Sequence, residues 1–117
     1  MRSKNNFIDA TNGIEIGDYT NIGPGAGLIS LSRDVIDTTI NTKNPPMCIG
    51  AFCWMEMNAV VLPGVVLGNF TTVGAGTVVT KSFPEEDCII GGNPAKVIKA
   101  LDKECKTFRK NKGGKKK

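Results

Sequence analysis

The chain has 117 residues, a formal net charge of +4, four cysteines and no histidine. That length suits one domain, and the missing imidazole excludes a Cys/His metal site, a Cys-His dyad and a Ser-His-Asp triad, even across the boundary of a homo-oligomer. The positive charge is local: residues 106–117 hold seven Lys or Arg and no acid, whereas residues 1–105 set eight basic against eleven acidic side chains, a balance of −3.

From the N-terminal side, the first patterned element is a six-residue spacing of aliphatics at Ile16, Ile22 and Leu28. The same spacing returns at Ile49, Met55, Val61, Leu67, Val73 and Val79. Six successive hits in one register arise by chance about once in 700 trials after free choice of phase. Four residues after these positions runs a second column of small or β-branched residues: Thr20, Ala26, Cys53, Ala59, Val65, Thr71 and Thr77. Gly17, Gly23, Gly50, Gly68 and Gly74 directly follow the aliphatics. This period is neither helical nor that of an ordinary strand. It predicts short strands that bend every six residues, three to a turn, stacking into three parallel sheets around shared inward columns. The expected fold is an all-β solenoid of about three to four coils over residues 1–92. So short a stack buries little core alone, which points to a homo-oligomer.

Between the two blocks the register slips by three residues, and residues 31–48 read as an extended loop thrown off the stack. It holds Arg33, Asp34, Asp37 and Pro45-Pro46, and long loops on rigid scaffolds tend to carry function. Beyond Val79 the repeat fades. Gly91-Gly92-Asn93-Pro94 then reads as a helix start, Asn93 as N-cap and Pro94 at the first helical position. Val97, Ile98, Leu101, Cys105 and Phe108 supply one apolar stripe, so a C-terminal α-helix is predicted over 93–111, followed by a basic disordered tail at 112–117. No aromatics interleave with the tail's charges, and Gly113-Gly114 interrupts it, which argues against nucleic-acid binding. No apolar run approaches the roughly 20 residues of a membrane span. With no CxxC pair and no signal-like run, a cytoplasmic setting is expected. Cys53 and Cys105 fall on inward positions, leaving Cys48 and Cys88 as the less constrained thiols.

Three stretches carry a family resemblance: Cys53-Trp54-Met55-Glu56-Met57-Asn58-Ala59-Val60-Val61-Leu62-Pro63-Gly64-Val65, then Val73-Gly74-Ala75-Gly76-Thr77-Val78-Val79-Thr80-Lys81, then Gly92-Asn93-Pro94-Ala95-Lys96. From Gly13 to about Leu101 the chain resembles hexapeptide-repeat acyltransferases with a left-handed parallel β-helix. Within them it is similar to the xenobiotic, galactoside and maltose O-acetyltransferase branch and to polysaccharide O-acetyltransferases. The resemblance implies a homotrimer that binds acetyl-CoA, the acyl donor, in grooves between protomers and transfers acetyl to a sugar or other hydroxyl acceptor. It places Trp54 and Met57 at the acceptor and thioester region and Ala75 where backbone meets the pantetheine arm. It further places Thr80 and Lys81 near the adenosine end, with Lys96 and Lys99 reaching the phosphates. Read from composition alone, Thr80, Lys81 and Lys96 are equally exposed polar residues, and Ala75 is coil packing.

Two departures bear on catalysis. In the segment Gly27-Leu28-Ile29-Ser30-Leu31-Ser32-Arg33-Asp34 the family has histidine before the aspartate, the base that deprotonates the acceptor. Arg33 stands there and stays protonated at any working pH. Glu56 occupies a position that is usually glycine; it is a candidate substitute base, or simply an exposed turn residue. The second reading is therefore a catalytically degenerate trimer that keeps CoA or ligand binding or serves as a scaffold.

Overall fold

The computed structural model describes residues 6–31, 36, 37, 39 and 44–100. Twelve short strands appear in these residues: β1 (Phe7–Asp9), β2 (Ile14–Ile16), β3 (Asn21–Ile22), β4 (Gly27–Ile29), β5 (Met47–Ile49), β6 (Trp54–Met55), β7 (Val60–Val61), β8 (Val66–Leu67), β9 (Thr72–Val73), β10 (Val78–Val79), β11 (Cys88–Gly91) and β12 (Lys96–Ala100). They sort into three sheets. Sheet A has the order β1-β4-β7-β10, sheet B has β2-β5-β8, and sheet C has β12-β11-β9-β6-β3. Every third strand lies on its predecessor in parallel register, for example Leu28 on Val61 and Met55 on Val73. That arrangement is a parallel β-helix. A bridge from Leu67 to Phe83 extends sheet B, so four coils are formed.

The six-residue period explains the interior directly. Leu28, Met55, Val61, Val73 and Val79 are fully buried, stacked by phase on the three sheets. Burying each contributes about 1.5–3 kcal/mol. The small column is buried throughout, from Thr20 to Thr77. Gly17, Gly23, Gly50 and Gly68, which follow the aliphatics, are there because coils approach closely: a Cβ on Gly50 would lie 2.7 Å from the amide nitrogen of Asn69. Two polar members of the column bond to backbone carbonyls, Thr20 across to the next coil and Thr71 within its own corner. Thr20 Oγ donates to the Gly50 carbonyl at 2.6 Å, and Thr71 Oγ donates to the Gly68 carbonyl at 2.7 Å.

Each coil turns three corners. At the corner from sheet B to sheet C, Tyr19, Phe52 and Phe70 adopt left-handed backbone, with φ of 61°, 58° and 61°. Their rings stack in a ladder, with centroids 5.3 Å apart for Tyr19–Phe52 and 5.0 Å for Phe52–Phe70. Packing of the rings offsets the cost of φ > 0 in an aromatic residue.

Two expectations are corrected. The loop ends earlier than residue 48, because Met47 and Cys48 already pair with Ile14 and Glu15 in sheet B. The end of the loop is pinned to the stack: Asn12 Nδ2 donates to the Asn44 carbonyl at 2.7 Å. The predicted helix over 93–111 does not start where expected. Residues 92–95 form a turn, and β12 runs back antiparallel to β11. The physical reason is the edge of β11, whose backbone groups gain partners at once from a local hairpin. The β-branched pair Val97-Ile98 favours that strand, while Gly92 at φ 100° permits the reversal. Asn-Pro, taken as an N-cap signal, marks a turn equally well. Ala95 is buried and donates its N–H to Val78 O at 3.0 Å, closing the last corner. Residues 101–111 lie outside the described residues.

Candidate functional site

The corner from sheet C to sheet A carries most of the residues singled out for the cofactor. In the second coil Trp54 stands on β6 facing outward, followed by Glu56 and then Met57 in the turn. Trp54 and Met57 are 42% and 55% exposed, which is unusual for such large apolar side chains. Glu56 is half-buried, and its N–H donates to the Val73 carbonyl at 2.9 Å. One coil further, Ala75 and Gly76 form the equivalent turn, both exposed. The Gly76 N–H donates to the Met57 carbonyl at 2.9 Å, which ties the two turns together. Above them the turn at residues 92–95 sits on Val78, whose N–H donates to the Gly92 carbonyl at 3.0 Å. Lys96 leaves this turn paired with Gly91, and Lys99 pairs with Ile89 further along β12. Met57 and the Ala75-Gly76 turn therefore stack directly, whereas Trp54 shares a register column with Thr72, Ile89 and Lys99.

The turn at Ala75-Gly76 leaves room for a ligand. A Cβ on Gly76 would meet nothing within 4 Å, whereas one on Gly25, at the same corner of the first coil, would collide with the Asn58 side chain. Packing inside the chain thus does not demand a small residue at Gly76. Its φ of 68° favours glycine there by itself, and the turn is open to solvent.

Thr80 and Lys81 lie elsewhere, just after β10 at the corner leading from sheet A to sheet B, and both are exposed. The single chain does not gather them with Met57 and Ala75. Lys81 Nζ rests 5.6 Å from the centroid of the Phe83 ring, a cation–π contact that sequence reasoning did not foresee. Arg33 and Asp34 lie outside the described residues. An open groove of about 610 Å³ runs along sheet B and is lined by Glu15, Gly17, Cys48 and Gly50. Cys48, one of the two less constrained thiols, lines it, and none of the residues assigned to the cofactor does. Within it the Cys48 thiol points to the Glu15 carboxylate at 3.8 Å. Cys88 is half-buried on β11; desolvation first, then the charges of Glu85 and Asp87, push its thiol pKa upward. Among the described residues no group of three or more Cys, Asp or Glu is placed to hold a metal, and no helix is long and apolar enough to cross a membrane.

Sequence comparison joins this geometry to known proteins. A protein of Escherichia coli (strain K12) whose name proposes a lipopolysaccharide biosynthesis O-acetyl transferase is 45% identical over 68 residues, 58% of this chain. A Staphylococcus aureus (strain MRSA252) protein whose name proposes an acetyltransferase is 42% identical over 62 residues, 53% of this chain. Among solved structures, a Vibrio cholerae hexapeptide-repeat-containing acetyltransferase complexed with acetyl coenzyme A matches at a TM-score of 0.77 and 27% identity over 84% of this chain. A galactoside acetyltransferase in complex with coenzyme A matches at 0.78 and 26% over 89%. The coils are homologous to those of hexapeptide-repeat acetyltransferases. Their parallel sheets fit the left-handed β-helix of that group. No protein-family model matches the chain. It spans 34% and 31% of the E. coli and S. aureus relatives' own length, and 55% and 56% of the two structures.

The aromatic ladder and the inward Phe83 were missed in the hexapeptide pattern. The signal for the ladder was present, since Phe52 and Phe70 stand three hexads apart. Phe83 stands six residues after Thr77, in the phase of the small column, where its size hid it, and in the fold it pairs with Leu67 of the aliphatic column.

Proposed function

We propose that this chain is an acetyl-CoA-dependent O-acyltransferase that acetylates a hydroxyl of a sugar or glycan, working as a homotrimer with the cofactor groove between protomers. The observation that carries the reading is the open, exposed turn at Ala75-Gly76, stacked directly on Met57 in coils homologous to acetyltransferases. In this reading Trp54 and Met57 line the acceptor and thioester region, Ala75 meets the pantetheine arm, and Lys96 and Lys99 hold phosphates. Thr80 and Lys81 sit at a different corner, so they reach a cofactor only from the neighbouring wall of an interface. The exposure of Trp54 and Met57 supports such a wall, because a second copy would cover them.

The reaction breaks the thioester C–S bond, forms a C–O bond to the acceptor and leaves the hydroxyl proton to be taken up. No histidine exists to take it. Arg33 stands at the family's base position with a guanidinium that cannot accept a proton. Glu56, beside Met57, is the carboxylate closest in sequence to the acceptor region. Positioned general-base catalysis is worth about 10²- to 10⁴-fold, while proximity contributes separately. The chain is accordingly a slow catalyst. The absence of histidine also favours the second reading, a CoA-binding trimer that has lost transfer.

Transfer of radiolabelled acetyl from acetyl-CoA to a panel of sugars tests this. Slow transfer that Arg33→His raises at least about tenfold supports the enzyme with a lost base. Binding of CoA without transfer in either variant supports the degenerate trimer. If the parent turns over at ordinary enzymatic rates and Arg33→His lowers them, Arg33 is itself catalytic.

A further inference from the structure

Trp54 and Glu56 flank the fully buried Met55, so alternation sets both on the outer side of the coil. Their amides both donate to the coil above, to Thr71 O at 3.0 Å and Val73 O at 2.9 Å, as that alternation requires. Along the stack Glu56 stands between Gly23 and Gly74, which follow the two residues paired with Met55. Neither neighbour in that column has a side chain to cover the carboxylate. Glu56 is half-buried, and its carboxylate has no hydrogen bond or ion pair among the described residues. The coils around it are anionic: residues 6–31 and 44–80 contain Asp9, Glu15, Asp18 and Glu56 and no Lys or Arg. Lys96 and Lys99 of sheet C lie on β12, three strand spacings or about 14 Å from β6. An uncompensated carboxylate two residues from an exposed indole suits a cationic ligand, the carboxylate by its charge and the indole by its π face.

We propose that this face takes a primary amine of a sugar as acyl acceptor, so that the chain transfers acetyl to nitrogen in preference to oxygen. The inference rests on the reading that Trp54 and Met57 line the acceptor region. Its chemical reason is the missing histidine. A hydroxyl titrates far above neutral, as water does at about 15.7, and needs a base before it attacks. An amine titrates between about 8 and 10, so part of it is already neutral near pH 8 and attacks without one. The ammonium first gives a proton to solvent. The nitrogen lone pair then forms the C–N bond to the thioester carbonyl carbon, and the C–S bond breaks with its electron pair leaving on sulfur. One nitrogen proton passes to that thiolate, which leaves an amide and the free CoA thiol. Nitrogen turns positive as the bond forms, and the Glu56 carboxylate stabilises that charge more in the transition state than in the neutral amine. Trp54 supplies a flat apolar surface for the sugar ring.

Trp54 is the single tryptophan of the chain, so its fluorescence reads acceptor binding separately from turnover. Glucosamine at neutral pH is expected to shift that emission saturably, at least about fivefold more tightly than glucose. Glu56→Gln weakens glucosamine at least about fivefold and leaves the affinities for glucose and CoA within about twofold. Release of CoA thiol from acetyl-CoA is at least about tenfold faster with glucosamine than with glucose, and it rises with pH up to the pKa of the amine. The product resists hydroxylamine, which cleaves esters and spares amides. Transfer to glucose as fast as to glucosamine, or a hydroxylamine-labile product, overturns the inference and leaves the transferase reading standing. Transfer to neither sugar while CoA still binds overturns the transferase reading and the amine acceptor with it. A Glu56→Gln variant that binds glucosamine as the parent does overturns the inference at its carboxylate.

Discussion

Gly76 and Met57 are joined by a backbone hydrogen bond of 2.9 Å that stacks two exposed turns at one corner of the β-helix. Gly76 has a φ of 68°, and Asn58, its counterpart one coil below, has 60°. Asn tolerates that backbone where Ala does not. Gly76→Asn is therefore expected to change stability by less than about 1 kcal/mol while filling the space above the turn. Its CoA affinity should fall at least tenfold, about 1.4 kcal/mol. Calorimetric titration beside a melting curve separates the two effects; a variant that binds CoA as the parent does places the groove elsewhere.

Thr77 sits in the buried column that holds Ala26, Ala59 and Ala95 at this corner. Its hydroxyl has no hydrogen-bond partner among the described residues. Thr77→Val removes a desolvated hydroxyl without leaving an orphan, so it is expected to stabilise by about 1 kcal/mol. Thr71→Val breaks the bond to Gly68 O and leaves that carbonyl only the weak Cys53 thiol donor at 3.2 Å, costing about 1 kcal/mol. Denaturant melts of the pair should move in opposite directions.

The aromatic ladder gives a ranked prediction. Phe52 stacks on both Tyr19 and Phe70, whereas Phe70 stacks on Phe52. Phe52→Ala forfeits two ring contacts at about 0.5–1.5 kcal/mol each and should destabilise more than Phe70→Ala. Equal losses would mean that burial, not stacking, holds the corner.

How much was legible in the sequence can be read from particular residues. Apart from Met47, which was read as loop, the hexads placed the inward aliphatics from Ile22 to Val79, because a period fixes which side chains share a column whatever the coil's ends do. Ile16 was placed in the right column, yet its exposure was hidden, since periodicity carries no information about the last layer. Val97 and Ile98 were assigned to a helix face and lie in a strand. Their β-branched side chains meet an edge that only the assembled sheet reveals. The resemblance sets Lys81 near the adenosine end, and its contact with Phe83 depends on a large ring standing where the repeat has small residues.

For Cys88 the raised thiol pKa has a definite consequence. The folded thiol stays protonated at a pH where the unfolded thiol ionises, so its contribution to stability is present below the unfolded pKa and is lost as pH rises above it. Alkylation by iodoacetamide, which needs the thiolate, should have its midpoint above the ordinary thiol range. Glu85→Gln should lower that midpoint by removing one of the charges that raise it. An unmoved midpoint would leave desolvation and the Asp87 charge as the causes.

The two lysines separate folding from binding. Lys81→Glu loses the contact with the Phe83 ring, worth about 0.5–1 kcal/mol at an exposed site, so some loss of stability accompanies any loss of CoA affinity. Lys96 is exposed on β12, and Lys96→Glu should lower CoA affinity with little change in melting temperature. Reversal of both effects would contradict the placement of phosphate at Lys96.

The most direct test of the account is calorimetric titration of the full chain with CoA and acetyl-CoA, run beside light scattering of the same sample. A trimer that binds three CoA per assembly, with affinity lost in Gly76→Asn and Lys96→Glu, is the predicted result. A stable monomer that gives no saturable heat with either ligand would contradict the interfacial groove and the transferase built on it.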